Sequence, residues 1–160
     1  MTVRALKLPE GGSAGTRPLG QVLEFMRVLW ALDHQLQSAS KRMEAGHGIT
    51  GPQRLVVRIV GRFPGISAGE VSEILHLHPS TLTGILKRLA ERGLVERRSD
   101  PGDARRALLH LTVRGRAVDD QRTGTVEAAV RRALVRLKPR SVHAAREVLE
   151  ALAGELDHIA

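Results

Sequence analysis

From Leu19 onward, apolar residues recur at Val22, Leu23, Met26, Leu29, Trp30 and Leu36. This stripe has near-heptad spacing and predicts one long helix to about Glu44, closed by Gly46 and Gly48. Residues 1–17, with Pro9, Gly11, Gly12 and Gly15 and no apolar period, read as a flexible N-terminal arm. Thr50 and Pro52 have the look of an N-cap and a first-turn proline. Leu55, Val56, Ile59, Val60 and Phe63 then mark the buried side of a short second helix that Pro64 and Gly65 stop. Ser67 and Glu70 form a Ser-x-x-Glu capping box ahead of Val71, Ile74 and Leu75, which predicts a third helix. After a break at His78, Pro79 and Ser80, a fourth helix carries Leu82, Ile85, Leu86 and Leu89. Gly93 stands where a left-handed C-terminal residue belongs.

The period then changes. Leu94 to Arg97 and Ala107 to Leu111 read as short strands around the turn-rich Ser99-Asp100-Pro101-Gly102-Asp103, a small β-hairpin. Thr112 caps a predicted long fifth helix with Val113, Ala117, Val126, Val130, Ala133, Leu134 and Leu137, ending near Pro139. A sixth helix from about Arg140 or Ser141 carries Val142, Val148, Leu149, Leu152, Leu156 and Ile159. The expected fold class is mainly α with a small β-hairpin wing. The expected organisation is an arm (1–17), a first dimerisation helix (18–48), a winged helix-turn-helix lobe (49–111), and two further dimerisation helices (112–160). Terminal helices with broad apolar stripes, on a chain with few aromatics, need a partner surface to bury them.

Composition narrows the function. Lys plus Arg number 25 against 17 Asp plus Glu, a formal net charge of +8 in 160 residues, which is the footprint of a polyanion binder. With only Phe25, Trp30 and Phe63 as aromatics, stacking platforms for single strands are scarce, so double-stranded DNA is the expected partner. The absence of Cys removes disulfides, thiolate catalysis and iron–sulfur ligation and fits a reducing compartment, with the cytoplasm as the expected location. The longest apolar run, Val28 to Leu32, is far short of the roughly 20 residues that span a bilayer, and no membrane partner is expected.

Two short helices joined by a tight turn, then a hairpin with a basic loop, are the parts of a winged helix-turn-helix. Its second short helix can enter the major groove, where every base pair displays a distinct pattern. The exposed face there is His78, Ser80, Thr81, Thr83, Gly84, Lys87 and Arg88: small hydroxyls at the start, cations one turn later. The wing carries Arg97, Arg98, Arg105 and Arg106 beside Asp100 and Asp103. Arg105 is read as its tip, buttressed by Asp103, because an Asp near an Arg can orient the guanidinium towards the narrow minor groove.

These motifs together resemble the MarR family of transcriptional regulators. They are Ser67-x-x-Glu70, His78-Pro79-Ser80-Thr81-Leu82-Thr83, Leu89-x-x-Arg92-Gly93-Leu94-Val95-Glu96-Arg97, Asp100-Pro101-Gly102-Asp103-Ala104-Arg105 and Leu111-Thr112-x-x-Gly115. The resemblance covers residues 19 to 158. It implies a homodimer with interleaved first, fifth and sixth helices, two winged lobes reading a near-palindromic duplex, and often a small anionic or phenolic ligand that weakens DNA binding. By position it assigns Ser80, Thr81, Thr83 and Arg88 to the recognition helix and Asp103 and Arg105 to the wing. Arg106 stands where the family commonly has a small residue, and the family's cysteine-based oxidant sensing has no counterpart here.

Arg27, Trp30 and His34 share one side of the first helix and offer a cation, an aromatic wall and a titratable ring. With Arg62 and Phe63 they form a candidate site for an aromatic carboxylate effector. His76, His78 and His110 raise a zinc reading, but a helix end and a strand without clustered carboxylates lack a tetrahedral ligand set, so no metal is expected. Neither a nucleophile with its base nor a phosphate-cradling glycine loop before a strand is present; no enzyme, catalytic residue or cofactor is expected. The remaining alternative to a sequence-specific, ligand-responsive repressor is an architectural DNA binder with weak base readout and no effector.

Overall fold

The computed structural model of the chain describes residues 18–103 and 106–158. They form two compact units that meet between Gln35 and Leu36, inside the first helix. The elements are α1 (Gln21–His47), α2 (Gly51–Arg62), β1 (Ile66–Ser67), α3 (Ala68–Leu75), α4 (Pro79–Glu91), β2 (Val95–Ser99), β3 (Ala107–Leu111), α5 (Val113–Asp119), α6 (Val126–Leu134) and α7 (Pro139–Leu156). The protein is therefore mainly α with a small β-hairpin wing. The hairpin gains a third strand that sequence periodicity did not reveal: β1 pairs antiparallel with β3, giving the order β1-β3-β2. A two-residue strand is too short to show a period. The expected arm, 1–17, lies outside the described residues.

Local signals position the helices of the second unit. Thr50 caps α2 in a reciprocal box with Gln53, and Ser67 caps α3 in the same way with Glu70. Gly93 takes φ +64 after α4, a conformation that costs a residue with a Cβ far more. The Leu-Thr-x-x-Gly motif also acquires a physical meaning. Leu111 is buried, the Thr112 hydroxyl accepts from Gly115 N at 3.0 Å to cap α5, and the same hydroxyl donates to Gly93 O at 2.6 Å. Gly115 has no room for a side chain: a Cβ there would lie 1.9 Å from the Leu94 carbonyl oxygen.

The core of this unit joins Met43 and Ile49 to Val56, Val57, Val60, Val71, Leu82, Leu86, Leu89, Leu94, Val95, Leu109 and Leu111. It holds α2, α3 and α4 against the sheet. The inward face of α2 is rotated from the expected one: Gln53, Arg54, Val56, Val57 and Val60 are buried, whereas Leu55 and Phe63 are exposed. Positions 53, 56, 57 and 60 follow the i, i+3, i+4, i+7 rule, so the period was right and its phase was not.

The expected long fifth helix is broken. Val113 to Asp119 forms α5, and α6 begins only at Val126. Between them Gly124 adopts φ +70 and Thr125 caps α6 through Ala128 N at 3.2 Å. The stripe from Ala117 to Val126 had skipped over this stop-and-restart signal. Two arginines of α2 fill the break. Arg54, 2% exposed, donates to Glu127 Oε1 and to the carbonyl oxygens of Val118 and Gln121. Arg58 donates to Asp119 Oδ1 at 2.6 Å and to its carbonyl at 3.1 Å.

Outside the core, apolar side chains stand in solvent. In the first unit these include Val22, Leu23, Phe25, Met26, Val28 and Trp30. In the second, α7 has 18 residues and none is buried, although it carries Val148, Leu149 and Leu156. Among the described residues no helix is long and apolar enough to cross a membrane.

Candidate nucleic-acid interface

The turn between α3 and α4 is closed locally. α3 ends at His76 in the left-handed region (φ 48), and the Ser72 hydroxyl donates to the Leu77 carbonyl. His78 then caps α4: its Nδ1 accepts from Ser80 N at 3.3 Å and lies 2.7 Å from Ser80 Oγ. His78 and Ser80 thus spend part of their hydrogen-bonding capacity on each other. Leu82, Leu86 and Leu89 anchor α4 in the core, which leaves Ser80, Thr81, Thr83, Lys87 and Arg88 exposed on its other side. The Thr83 hydroxyl donates back to Pro79 O at 2.8 Å, so what it offers outward is its methyl and an acceptor lone pair. Lys87 Nζ is 3.9 Å from Glu91 Oε1, a weak exposed pair.

Among the described residues, the wing cations do not form one cluster. Arg97 lies opposite Leu109, on the face that also carries buried Val95, while Arg98 lies opposite Leu108 on the other face. Arg98 donates to Glu96 Oε1 at 2.9 Å through Nε. It also borders a cavity of about 260 Å³ together with His110, Arg116 and Asp119. Arg106 reaches α3 instead, 3.7 Å from Glu70 Oε2. The Ser67 hydroxyl and then its backbone N–H hold the Glu70 carboxyl below the ordinary glutamate value, against the cost of burial, and the Arg106 charge adds to this. The turn is built on Asp100, whose Oδ1 accepts from Gly102 N at 2.8 Å, and on Asp103, whose carbonyl accepts from Arg106 N at 2.9 Å. Arg105, the expected tip, lies outside the described residues.

The candidate effector residues fall into two groups. In the first unit Arg27 is held by Glu24 at 2.9 Å and Trp30 is 63% exposed, with His34 exposed further along the helix. In the second, Arg62 sits over the Phe63 ring at 5.8 Å, and Phe63 borders a shallow depression with Pro64, Ile66, Glu70 and Ile74. His76 and His78 serve as helix caps, and His110 stands on β3. Sequence reasoning missed Arg54 and Arg58, whose i, i+4 spacing within the valine stripe of α2 was the available signal.

An exposed helix presented by a helix-turn-helix and flanked by a two-stranded ribbon defines a winged helix-turn-helix protein. The model of the MarR family matches residues 47–106, from the end of α1 through the wing turn. An HTH-type transcriptional repressor of Mycobacterium tuberculosis is 28% identical over 144 residues, covering 90% of this chain and 99% of that relative. The structure of CouR from Rhodococcus jostii bound to p-coumaroyl-CoA superposes with a TM-score of 0.70 at 25% identity, over 85% of this chain and 96% of that one. The Staphylococcus aureus MepR–DNA complex shares the fold, with a TM-score of 0.69 at 16% identity over 82% and 97% of the two chains. Over this lobe the chain is similar to MarR-family transcriptional regulators. Members of this family are regulators, not enzymes.

Proposed function

We propose that the protein acts as a homodimeric repressor that reads a near-palindromic operator in double-stranded DNA through two copies of α4. The observation that carries this reading is the two-sidedness of α4: three leucines fix one face while hydroxyls and cations occupy the other. In this reading Thr83 offers its methyl to a thymine methyl. Arg88, and Lys87 beside it, address a guanine edge or a phosphate, and Thr81 and the His78–Ser80 cap sit close to the backbone. Arg97 extends the same side, and Arg105, oriented by Asp103, enters the minor groove. Arg98 and Arg106 add charge at the margins of the wing.

Dimerisation is supported by the exposed apolar side chains of α1, α6 and α7, which a second copy would cover. The organisation that follows is 18–48 and 112–160 for dimerisation and 49–111 for DNA. Release by a small anionic or phenolic effector is supported by the ligand-bound CouR structure, with Arg27, Trp30 and His34, and Arg62 and Phe63, as the candidate contacts. The test is selection from a random duplex library near physiological salt. Enrichment of paired half-sites about one helical turn apart is the expected result. Strong binding without enrichment would replace this reading with that of an architectural DNA binder.

A further inference from the structure

Arg54 is the least exposed charged side chain of α2, and all of its partners lie beyond the wing, in the interrupted α5–α6 segment. Its guanidinium donates from Nε to Glu127 Oε1, from one terminal nitrogen to Val118 O, and from the other to Gln121 O at 2.6 Å. One turn later Arg58 takes the Asp119 carboxylate and carbonyl. The acceptors are the Val118 carbonyl in the last turn of α5, which also accepts from Gln121 N at 3.2 Å, the Gln121 carbonyl within the break, and an acid in the first turn of α6. A buried guanidinium is retained only when its donors are satisfied, and here one fork satisfies both sides of a helix break at once. Partial burial pushes the Glu127 carboxyl up, but the hydrogen bond from Arg54, that from its own backbone N–H, the Arg54 charge and the Thr125 hydroxyl together outweigh that and leave it below the ordinary glutamate value.

The neighbourhood explains why a pin is needed. α5 ends at Asp119, Gly124 turns the chain at φ +70 and Thr125 starts α6, and a segment of that kind provides a pivot for α6 unless something outside it fixes the direction. The break itself contributes little to the core: Val118 and Val126 pack against it only in part. Beyond the packing of Val126 and buried Ala128, the direction of α6 rests on polar contacts to α2, the helix that also packs against α4.

We infer that Arg54, assisted by Arg58, is a positioning residue that pins the α5–α6 break to α2 and so sets the angle at which α6 leaves the DNA-reading lobe. This rests on the proposed homodimer, in which α6 belongs to the dimer helices. The angle then fixes the separation of the two copies of α4, and the pin determines which half-site spacing the protein accepts without contacting DNA.

The test uses the full-length protein and duplexes carrying one half-site pair at centre-to-centre separations varied in single base-pair steps around one helical turn. Arg54→Lys keeps the charge and loses the fork. Glu127→Gln keeps an acceptor and the volume but removes the anion. Both variants are expected to broaden or shift the spacing optimum, lowering the preference for the wild-type spacing over its neighbours by roughly fivefold. Base preference within each half-site and the oligomeric state stay unchanged. Equal loss of affinity at every spacing would mean that Arg54 only stabilises the fold, and would overturn the inference. Should Arg54→Lys fail to fold, Glu127→Gln and Asp119→Asn carry the test, because both acids are partly exposed. A wild type with a sharp optimum that all variants retain removes this inference alone, whereas a wild type with no optimum removes the dimeric reading beneath it as well.

Discussion

Gly115→Ala is the most severe small substitution the structure offers. The added Cβ would lie 1.9 Å from the Leu94 carbonyl oxygen, 3.0 Å from its carbon and 3.3 Å from Leu111 Cβ. An ordinary carbon–oxygen contact is about 3.3 Å, so α5 has to retreat by more than an ångström. The retreat pulls on Thr112, whose N–H donates to Leu94 O at 3.2 Å and whose hydroxyl holds Gly93 O and caps α5. Losing the cap costs about 1 kcal/mol. The stranded junction and the overpacking raise the total to about 3 kcal/mol, a large share of a typical 5–15 kcal/mol margin. Urea unfolding at fixed protein concentration, followed by circular dichroism, should then show a midpoint lower by about 1.5 M for an m-value of about 2 kcal/mol/M. Gly84→Ala in α4 is the matched control. Its Cβ meets nothing within 4 Å, and it should stabilise by up to about 1 kcal/mol. A Gly115→Ala midpoint within about 0.2 M of wild type would refute the steric account of the Leu-Thr-x-x-Gly motif.

Arg105→Ala should weaken binding to all duplexes and reduce the magnitude of the salt slope by about 1 for each copy of the chain on the duplex, read by titrations at several salt concentrations. Thr83→Ala and Arg88→Ala should in addition relax base preference at the positions they face, by about 1–3 kcal/mol of discrimination; uniform loss from all three would count against the division of roles. Glu127, whose carboxyl is held below its ordinary value, contributes stability that is present above the ordinary glutamate range and lost as pH falls through its folded pKa. Wild-type urea midpoints should therefore drop on acidification below about pH 4, and Glu127→Gln should flatten part of that drop.

Much of the lobe was legible because its signals are local. Thr50, Ser67 and Thr112 announce caps within three residues of the groups they bond, and Gly93 ends α4 by its own backbone preference. What was not legible depends on partners far away in the chain. β1 exists only because β3 lies beside it, and its two residues carry no period of their own. The α5–α6 break was hidden for a related reason. Apolar residues resume beyond it at Val126, Val130, Ala133 and Leu134 with helical spacing, while the groups that bond the carbonyls of Val118 and Gln121 come from α2, 64 and 67 positions away. Arg54 and Arg58 draw no notice in the sequence, because a guanidinium reads as solvated until its acceptors are known.

The same separation applies to the charge. A surplus of +8 was correctly legible as a total, but a total has no direction. Along the chain Arg97, Arg98, Arg105 and Arg106 form one basic cluster; in space the pleat of β2 divides it. Arg97 follows Val95 to one face and Arg98 follows Glu96 to the other. The pairs themselves do not decide this, since an exposed bridge contributes only about 0–1 kcal/mol and yields to a phosphate. The strand direction does decide it, because no rotamer of Arg98 returns its Cβ to the face of Arg97. Arg106 differs in that it is held to Glu70 only across an exposed 3.7 Å gap, so it can leave α3 for DNA at little cost, whereas Arg98 has to reach around the ribbon. Of the two marginal cations, Arg106 is therefore the one whose removal should register in the salt dependence of binding.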